Sequence, residues 1–240
     1  IPASYVNWVG QAGARALPVL LGEAPEYYDK IFQVSNGLLF PGGNQGISPG
    51  AVYTDEGAQL YTLALAANDA GDDYPIWGTC LGFEELAVLA APPDANVVSE
   101  DVKATNVALP LDYAAGANES RLLASFPPDL VSALAKENVT FNSHDHGVLL
   151  STFEATPDLA SFFAVISTNH LAKSGAEFVS TMEAFDYPFY GTQWHPEKAN
   201  FEWSLGPDYS NIPHSPTAVE ASQATANFFV EAARGSSHVF

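Results

Sequence analysis

The stretch Tyr74-Pro75-Ile76-Trp77-Gly78-Thr79-Cys80-Leu81-Gly82-Phe83-Glu84-Glu85 contains the only cysteine of the 240-residue chain. An apolar run from Tyr74 to Trp77 reaches a cysteine bracketed by Gly78 and Gly82, and an amphipathic segment, Leu81 to Ala91, follows and stops at Pro92-Pro93. The pattern predicts a strand, a sharp turn and a helix, with the thiol at the turn. This is the cysteine counterpart of the G-x-S-x-G nucleophile elbow, in which small neighbours let the backbone strain enough to expose the reactive atom. A thiol at a helix N-terminus also feels the positive end of the helix dipole, which favours thiolate. The competing reading is an inert core residue, because free cysteine is among the most buried residue types.

A second stretch, Phe189-Tyr190-Gly191-Thr192-Gln193-Trp194-His195-Pro196-Glu197, bears on that choice. It reads as a strand that ends at His195, where Pro196 cannot continue a ladder. A neutral imidazole there can take the thiol proton, and Glu197 can hold the ring and stabilise its charged form. Alone, His-Pro-Glu also describes a plain surface turn. Paired with the elbow, it completes a set of nucleophile, base and orienting carboxylate. Acyl transfer also needs donors aimed at a developing oxyanion. The amide of Leu81, directly after Cys80, is one candidate; Gly43 in Pro41-Gly42-Gly43 is the other, since glycine lets the backbone approach a substrate closely. Otherwise Pro41-Gly42-Gly43 is only a tight turn.

These residues resemble a known family. Pro41-Gly42-Gly43, Gly78-Thr79-Cys80-Leu81-Gly82 and His195-Pro196-Glu197 are similar, in order, to the three signatures of class I glutamine amidotransferase domains. Trp77 to Leu86, Ser180-Thr181-Met182-Glu183 and Tyr190 to Lys198 resemble one branch, the gamma-glutamyl hydrolases, which are folate polyglutamate peptidases. Ala3-Ser4-Tyr5-Val6, Gly13-Ala14-Arg15, Phe201-Glu202-Trp203 and Phe228 to Arg234 extend the resemblance over nearly the whole chain. The loops from Asp94 to Ser125 and from Ser204 to Pro213 carry least of it.

The resemblance implies a single α/β domain over residues 1–240, with a mostly parallel central sheet, helices on both faces and an inserted antiparallel region. It implies a cysteine-dependent hydrolase that cleaves the gamma-glutamyl bonds of folylpoly-gamma-glutamates and related conjugates. It implies no cofactor, a homodimer, and a lysosomal or vacuolar location or secretion. Family members begin with a strand ahead of the segment matching Ile1 to Val6, so the chain reads as lacking that first strand. Within the site, Gly42, Glu84 and His144 are placed against the substrate. Glu84 stands where the amidotransferases usually carry a substrate-holding glutamine; the other reading is an exposed first-turn glutamate, the role given to Glu85. His144 is placed at the substrate's glutamyl end, with His146 as its competitor.

Composition narrows the function classes. With 28 acidic against 8 basic residues and a formal net charge of −20, nucleic-acid binding is disfavoured, because phosphate contacts need Lys and Arg in number. No apolar run approaches the roughly 20 residues that span a bilayer, so no membrane partner is expected. A polyglutamate substrate is itself anionic and would be repelled at neutral pH. A local cationic pocket or an acidic compartment would relieve that repulsion, and Lys198, Arg121 and Lys103 are candidate anion contacts. A saline habitat is the competing explanation for so few lysines. One cysteine excludes an internal disulfide, and Asn118-Glu119-Ser120 and Asn138-Val139-Thr140 are glycosylation sequons. His144-x-His146 could ligate a metal, but no further ligand cluster accompanies it, and no metal is expected. His170, His214 and His238 read as solvated or structural. Two rival functions remain. One is a glutaminase subunit that feeds ammonia to a synthetase, although these residues contain no synthetase domain. The other is a non-catalytic binding protein on the same fold, which the intact Cys80, His195 and Glu197 argue against.

Strand-like and helix-like segments alternate along the chain, which predicts a covered, mostly parallel sheet. Helices are expected at Tyr5 to Ala14, at Tyr27 to Val34 and from Thr54, read as an N-cap, to just before Gly71. Strands are expected at Ala16 to Leu21 and Gly37 to Phe40. Val97 to Ser151 reads as the antiparallel insertion, and Phe162 to Thr168 with Glu177 to Phe185 as a hairpin. The last helix is capped by Ser215, starts with Pro216 and closes at Gly235.

Overall fold

The computed structural model describes residues 1–240. Its centre is a six-stranded sheet of β1 (Leu38–Phe40), β2 (Ile76–Thr79), β8 (Phe189–Thr192), β7 (Glu177–Ala184), β6 (Phe163–His170) and β4 (Asp112–Tyr113), in that spatial order. β1, β2 and β8 pair parallel, while β8–β7, β7–β6 and β6–β4 pair antiparallel. Strand β6 therefore runs with β1, β2 and β8, and most of the sheet points one way, as expected. A separate antiparallel pair joins β3 (Ala104–Leu109) to β5 (Thr140–His144).

Helices cover both faces because neighbouring side chains on each central strand point to opposite sides. Ile76 and Phe189 face one core, with Tyr28 of α2 (Pro25–Val34), Leu60 of α3 (Val52–Asp69) and Phe83 of α4 (Leu81–Ala90). Trp77 and Tyr190 face the other, with Trp8 of α1 (Ala3–Gln11), Ala199 of α9 (Lys198–Phe201) and Phe229 of α10 (Pro216–Ala233). The register makes this possible, since Ile76 lies opposite Phe189 and Trp77 opposite Tyr190. No helix is long and apolar enough to cross a membrane.

Several sequence expectations hold locally. The hairpin forms as β6 and β7, and Ser215 caps α10 by accepting the Ala218 amide, with Pro216 in the first turn. Others need correction. Ala16 to Leu21 is no strand; it is largely exposed and unpaired, and Pro18 lacks a ladder donor. Helix α3 starts at Val52 after an Ala51 cap, and the Thr54 hydroxyl donates to Glu85 Oε2 at 3.0 Å rather than capping. The region from Val97 to Ser151 is antiparallel at β3, β4 and β5 and at isolated bridges of Ser99 with Gly147 and of Leu149 with Phe178, but it is not all strand. Between them lie a 3-10 turn at Ala117–Glu119, α5 (Arg121–Ala124) and α6 (Pro128–Leu134), and α7 (Leu150–Glu154) and α8 (Pro157–Phe162) follow.

Candidate active site

Three adjacent strands place the three motifs. β1, β2 and β8 are parallel neighbours, so Pro41-Gly42-Gly43 after β1, Cys80 after β2 and His195 beyond β8 all emerge at the carboxyl ends of the strands. That edge is where open α/β sheets bind ligands.

Cys80 turns the chain from β2 into α4 with φ +54° and ψ −110°, a region a non-glycine residue occupies only under strain. Its amide donates to the Thr192 carbonyl at 2.8 Å, and its carbonyl accepts the Glu84 amide at 3.0 Å. These bonds clamp the elbow to β8 and to the first turn of α4. A Cβ on Gly82 would run into the Phe40 carbonyl, and one on Gly78 into the Gly82 carbonyl, so the flanking glycines are required by close approach. Leu81 is the first residue of α4, and amides of a first helical turn lack intrahelical acceptors. Gly43 adjoins it: a Cβ there would lie 3.6 Å from Leu81 Cδ2, and the Gly43 amide has no acceptor in the protein.

His195 is anchored from both sides. Its amide donates to the Phe141 carbonyl of β5 at 2.8 Å, and Nδ1 lies 2.8 Å from Glu197 Oε1. A hydrogen at Nδ1 donated to the carboxylate leaves Nε2 with its lone pair. A Cβ on Gly42 would sit 2.9 Å from His195 Cε1 and 3.3 Å from Cys80 Cβ, so both residues border the space above Gly42. The structure thus brings Cys80, His195, Glu197, Gly42, Gly43 and Leu81 together.

The electrostatics differ from the simple dipole picture. Burial pushes the Cys80 thiol up, and the charges of Glu84 and Glu197 add to that; the Leu81 amide and Lys198 pull weakly the other way. At rest the sulfur is therefore a neutral thiol, because desolvation and two nearby carboxylates outweigh the helix N-terminus. For Glu197 burial acts upward, but the His195 imidazole and Lys198 overcome it and hold the carboxyl below the usual range.

Glu84 is buried, one turn along α4 from Cys80, and accepts a hydrogen bond from Gln193 Nε2 at 3.0 Å. Burial raises it to about 7. Glu85, expected at the surface, is also buried and also raised to about 7 by burial, because α4 is enclosed from Leu81 to Ala87. The Gly42 amide is already committed, donating to the Tyr5 hydroxyl at 2.7 Å, so Gly42 shapes the site through its missing side chain. His144 is buried beside the site; its Nδ1 lies 2.7 Å from the His146 carbonyl and 3.2 Å from that of Val102. Burial drives it down to about 4, so the ring is neutral, while His146 is exposed. Of the expected anion contacts, Arg121 is bound to Glu183 and Lys198 is buried among acidic groups; Lys103 stays exposed.

Two features escaped the sequence reading. The Tyr5 hydroxyl, beyond accepting the Gly42 amide, lies 3.3 Å from His195 Nδ1. Gln193 Oε1 and Tyr53 Oη are buried without partners, and the Tyr53 hydroxyl, raised first by burial, also feels the charge of Glu85. Tyr5 had a signal, since Ala3-Ser4-Tyr5-Val6 is part of the family resemblance; Tyr53 had none.

Comparison with known proteins places this geometry. The family described as Peptidase C26 matches residues 1–197. The chain belongs to the Peptidase C26 family. It is 40% identical over 240 residues to a Mus musculus protein named gamma-glutamyl hydrolase, covering 100% of this chain and 73% of the relative. It is 38% identical to gamma-glutamyl hydrolase B of Dictyostelium discoideum, covering 99% and 67% respectively. Among solved structures, the Trypanosoma brucei CTPS glutaminase domain with bound acivicin matches with a TM-score of 0.63 and 16% identity, over 98% of this chain and 89% of that one. The last match establishes a shared class I amidotransferase fold and nothing further. As a C26 member the chain is a cysteine peptidase.

Proposed function

We propose that this C26 peptidase hydrolyses gamma-glutamyl peptide bonds of folylpoly-gamma-glutamates and similar conjugates, with Cys80 as nucleophile, His195 as proton carrier and Glu197 as its orienting carboxylate. Cys80 Sγ attacks the gamma carbonyl as its proton passes to His195 Nε2. The Gly43 and Leu81 amides receive the oxyanion. His195 returns the proton to the departing amine, leaving a thioester on Cys80. Water, losing a proton to His195, then attacks the thioester; the acyl portion leaves with a free gamma-carboxyl, and His195 returns the proton to sulfur to restore the thiol. Glu84, Gly42 and His144 border the pocket that receives the glutamyl group.

The observation that carries this reading is the alignment of three motifs on adjacent strand ends, with His195 Nδ1 held by Glu197 at 2.8 Å. The relatives named gamma-glutamyl hydrolase support the choice of bond, and the resemblance supports folate conjugates among its carriers. An acidic compartment, lysosome or vacuole, or secretion fits the surplus of carboxylates, and both sequon asparagines, Asn118 and Asn138, are exposed. A homodimer follows from the resemblance and is tested by the mass of the purified protein in solution.

The decisive assay supplies a folate pentaglutamate, a gamma-linked glutamate oligomer and free glutamine to the wild-type chain and to Cys80→Ala. Hydrolysis of the first two and loss of at least about 10³-fold in Cys80→Ala, with its melting temperature retained, are expected. Turnover of glutamine alone would replace the reading with a glutaminase. Substantial hydrolysis by Cys80→Ala would remove Cys80 from the mechanism.

A further inference from the structure

Lys198 has no role in the reaction scheme, and yet it is one of only 8 basic residues and lies almost fully buried, at 4% exposure. An ammonium leaves water only where charges or hydrogen bonds receive it. Its Nζ donates to Glu202 Oε2 at 2.8 Å, stands 3.8 Å from Glu197 Oε1 and lies 4.7 Å from the centre of the Tyr209 ring. Glu202 Oε2 is also held by the Ser4 hydroxyl at 3.2 Å. Two consecutive residues of α1 therefore grip the site from two ends: Ser4 through Glu202 and Lys198, Tyr5 through His195.

The charges in this cluster nearly balance. Two carboxylates, Glu197 and Glu202, face one ammonium, and the sum becomes neutral when His195 accepts a proton. We propose that Lys198, locked by Glu202, is a positioning residue for the reaction: it fixes the Glu197 carboxylate behind the imidazole and balances the charge that proton transfer from Cys80 creates. The proposal rests on the assignment of Cys80, His195 and Glu197 made above. The field of Lys198 acts at both ends of the transfer, helping to hold Glu197 ionised and lowering the cost of a thiolate at Cys80.

Every other charged or titratable group that faces Lys198 is accounted for. Tyr5 comes from α1, Cys80 from the head of α4, and Tyr209 from the loop after α9. From α10 the acidic Glu220 and Glu231 point to solvent, as does Asp208 in the loop. His214 is turned away, its Nδ1 on the Ala199 carbonyl at 2.7 Å and its ring stacked on Trp203.

The test measures kcat/KM against pH on a gamma-linked glutamate oligomer, and the rate of Cys80 alkylation by iodoacetamide against pH, for the full chain and for Lys198→Met and Glu202→Gln. Loss of the cation favours protonation of the His195–Glu197 pair, whichever member the acid limb reports. In Lys198→Met the limb moves up by about one pH unit, a loss of about tenfold at a pH on that limb. Loss of the Glu202 anion has the opposite sign, and in Glu202→Gln the limb moves down by a smaller amount. Opposite shifts are beyond a merely structural role, which would lower activity uniformly in both variants. An acid limb unchanged in Lys198→Met, or shifts of the same sign in both, overturns the proposal. Should Lys198→Met fail to fold, Glu202→Gln decides alone, a downward shift supporting the proposal and an unmoved limb sinking it. A wild-type chain whose hydrolysis survives Cys80→Ala would instead remove the assignment beneath it.

Discussion

The Tyr5 hydroxyl lies 3.3 Å from His195 Nδ1, across 190 residues of sequence, and on its other side accepts the Gly42 amide at 2.7 Å. One phenol thus links α1, the turn after β1 and the base of the site. Burial, reinforced by the charge of Glu197, holds that hydroxyl firmly protonated, so it can act as a hydrogen-bonding strut but not as a second base.

Tyr5→Phe keeps the ring and deletes the strut. The half-buried Gly42 amide then loses its acceptor, at about 1 kcal/mol, which for a chain of this size lowers the melting temperature by about 2–4 °C. The imidazole also loses a neighbour on its Nδ1 side. We expect kcat to fall about tenfold, the weight of one hydrogen bond of about 1.4 kcal/mol, with KM little changed. Steady-state kinetics beside a thermal melt separates the two effects: an unchanged kcat with a lowered melting temperature would make Tyr5 structural only.

A second prediction concerns Glu84, whose charge is the largest electrostatic obstacle to a thiolate at Cys80 after burial itself. Glu84→Gln retains the shape and the partner Gln193 while removing the charge. The pH at which Cys80 becomes half-reactive toward iodoacetamide should fall by about one unit, so alkylation at pH 7.5 accelerates severalfold. In the wild-type chain, acidification through about 7 protonates Glu84 and grants part of the same gain. An alkylation profile in Glu84→Gln that overlays the wild type would show that this carboxylate does not act on the nucleophile.

The elbow was legible because its chemistry is local. Gly78 admits the Gly82 carbonyl and Gly82 the Phe40 carbonyl only because neither has a Cβ, and a strand meeting a helix at a single cysteine leaves few other geometries. The meeting of Cys80 with His195 was legible through the motif pair, since both lie at carboxyl ends of strands. Tyr5 was not assigned, because a helical period cannot say which distant loop a phenol will reach. Glu85 was misread for a different reason. An acidic pair in a first turn normally faces water, but α4 is covered by α3 on the side where Thr54 meets Glu85. Helices α5 and α6, of 4 and 7 residues, are too short for periodicity to register. Their signals were instead the Ser120 side chain, which caps α5 by accepting the Leu123 amide, and Pro128 in the first turn of α6.

The buried pair Glu84 and Glu85 also sets how stability depends on pH. Both are raised to about 7 from an ordinary value of 4.5, so the folded chain keeps protons that the unfolded chain releases between those values. Their contribution is complete below about 4.5, is lost progressively as pH climbs to about 7, and is level above that. Glu197, held low, has the reverse sign: its contribution is present above the ordinary glutamate value and fails only as pH drops through its lower folded value. His144, held at about 4 by burial, acts the other way as pH falls below 6.5, but between pH 5 and 7.5 two raised carboxyls outweigh this one imidazole, and relief of repulsion in a chain of net charge −20 adds to them. The melting temperature should therefore be higher at pH 5 than at pH 7.5. Glu85 alone accounts for about 2–3 kcal/mol, or about 4–12 °C. Glu85→Gln preserves an acceptor for the Thr54 hydroxyl and cannot ionise, so its melting temperature should fall less steeply over that interval. Calorimetric scans at fixed ionic strength measure the slope directly; if the variant and the wild type lose stability in parallel from pH 5 to 7.5, Glu85 is not the group that releases the proton.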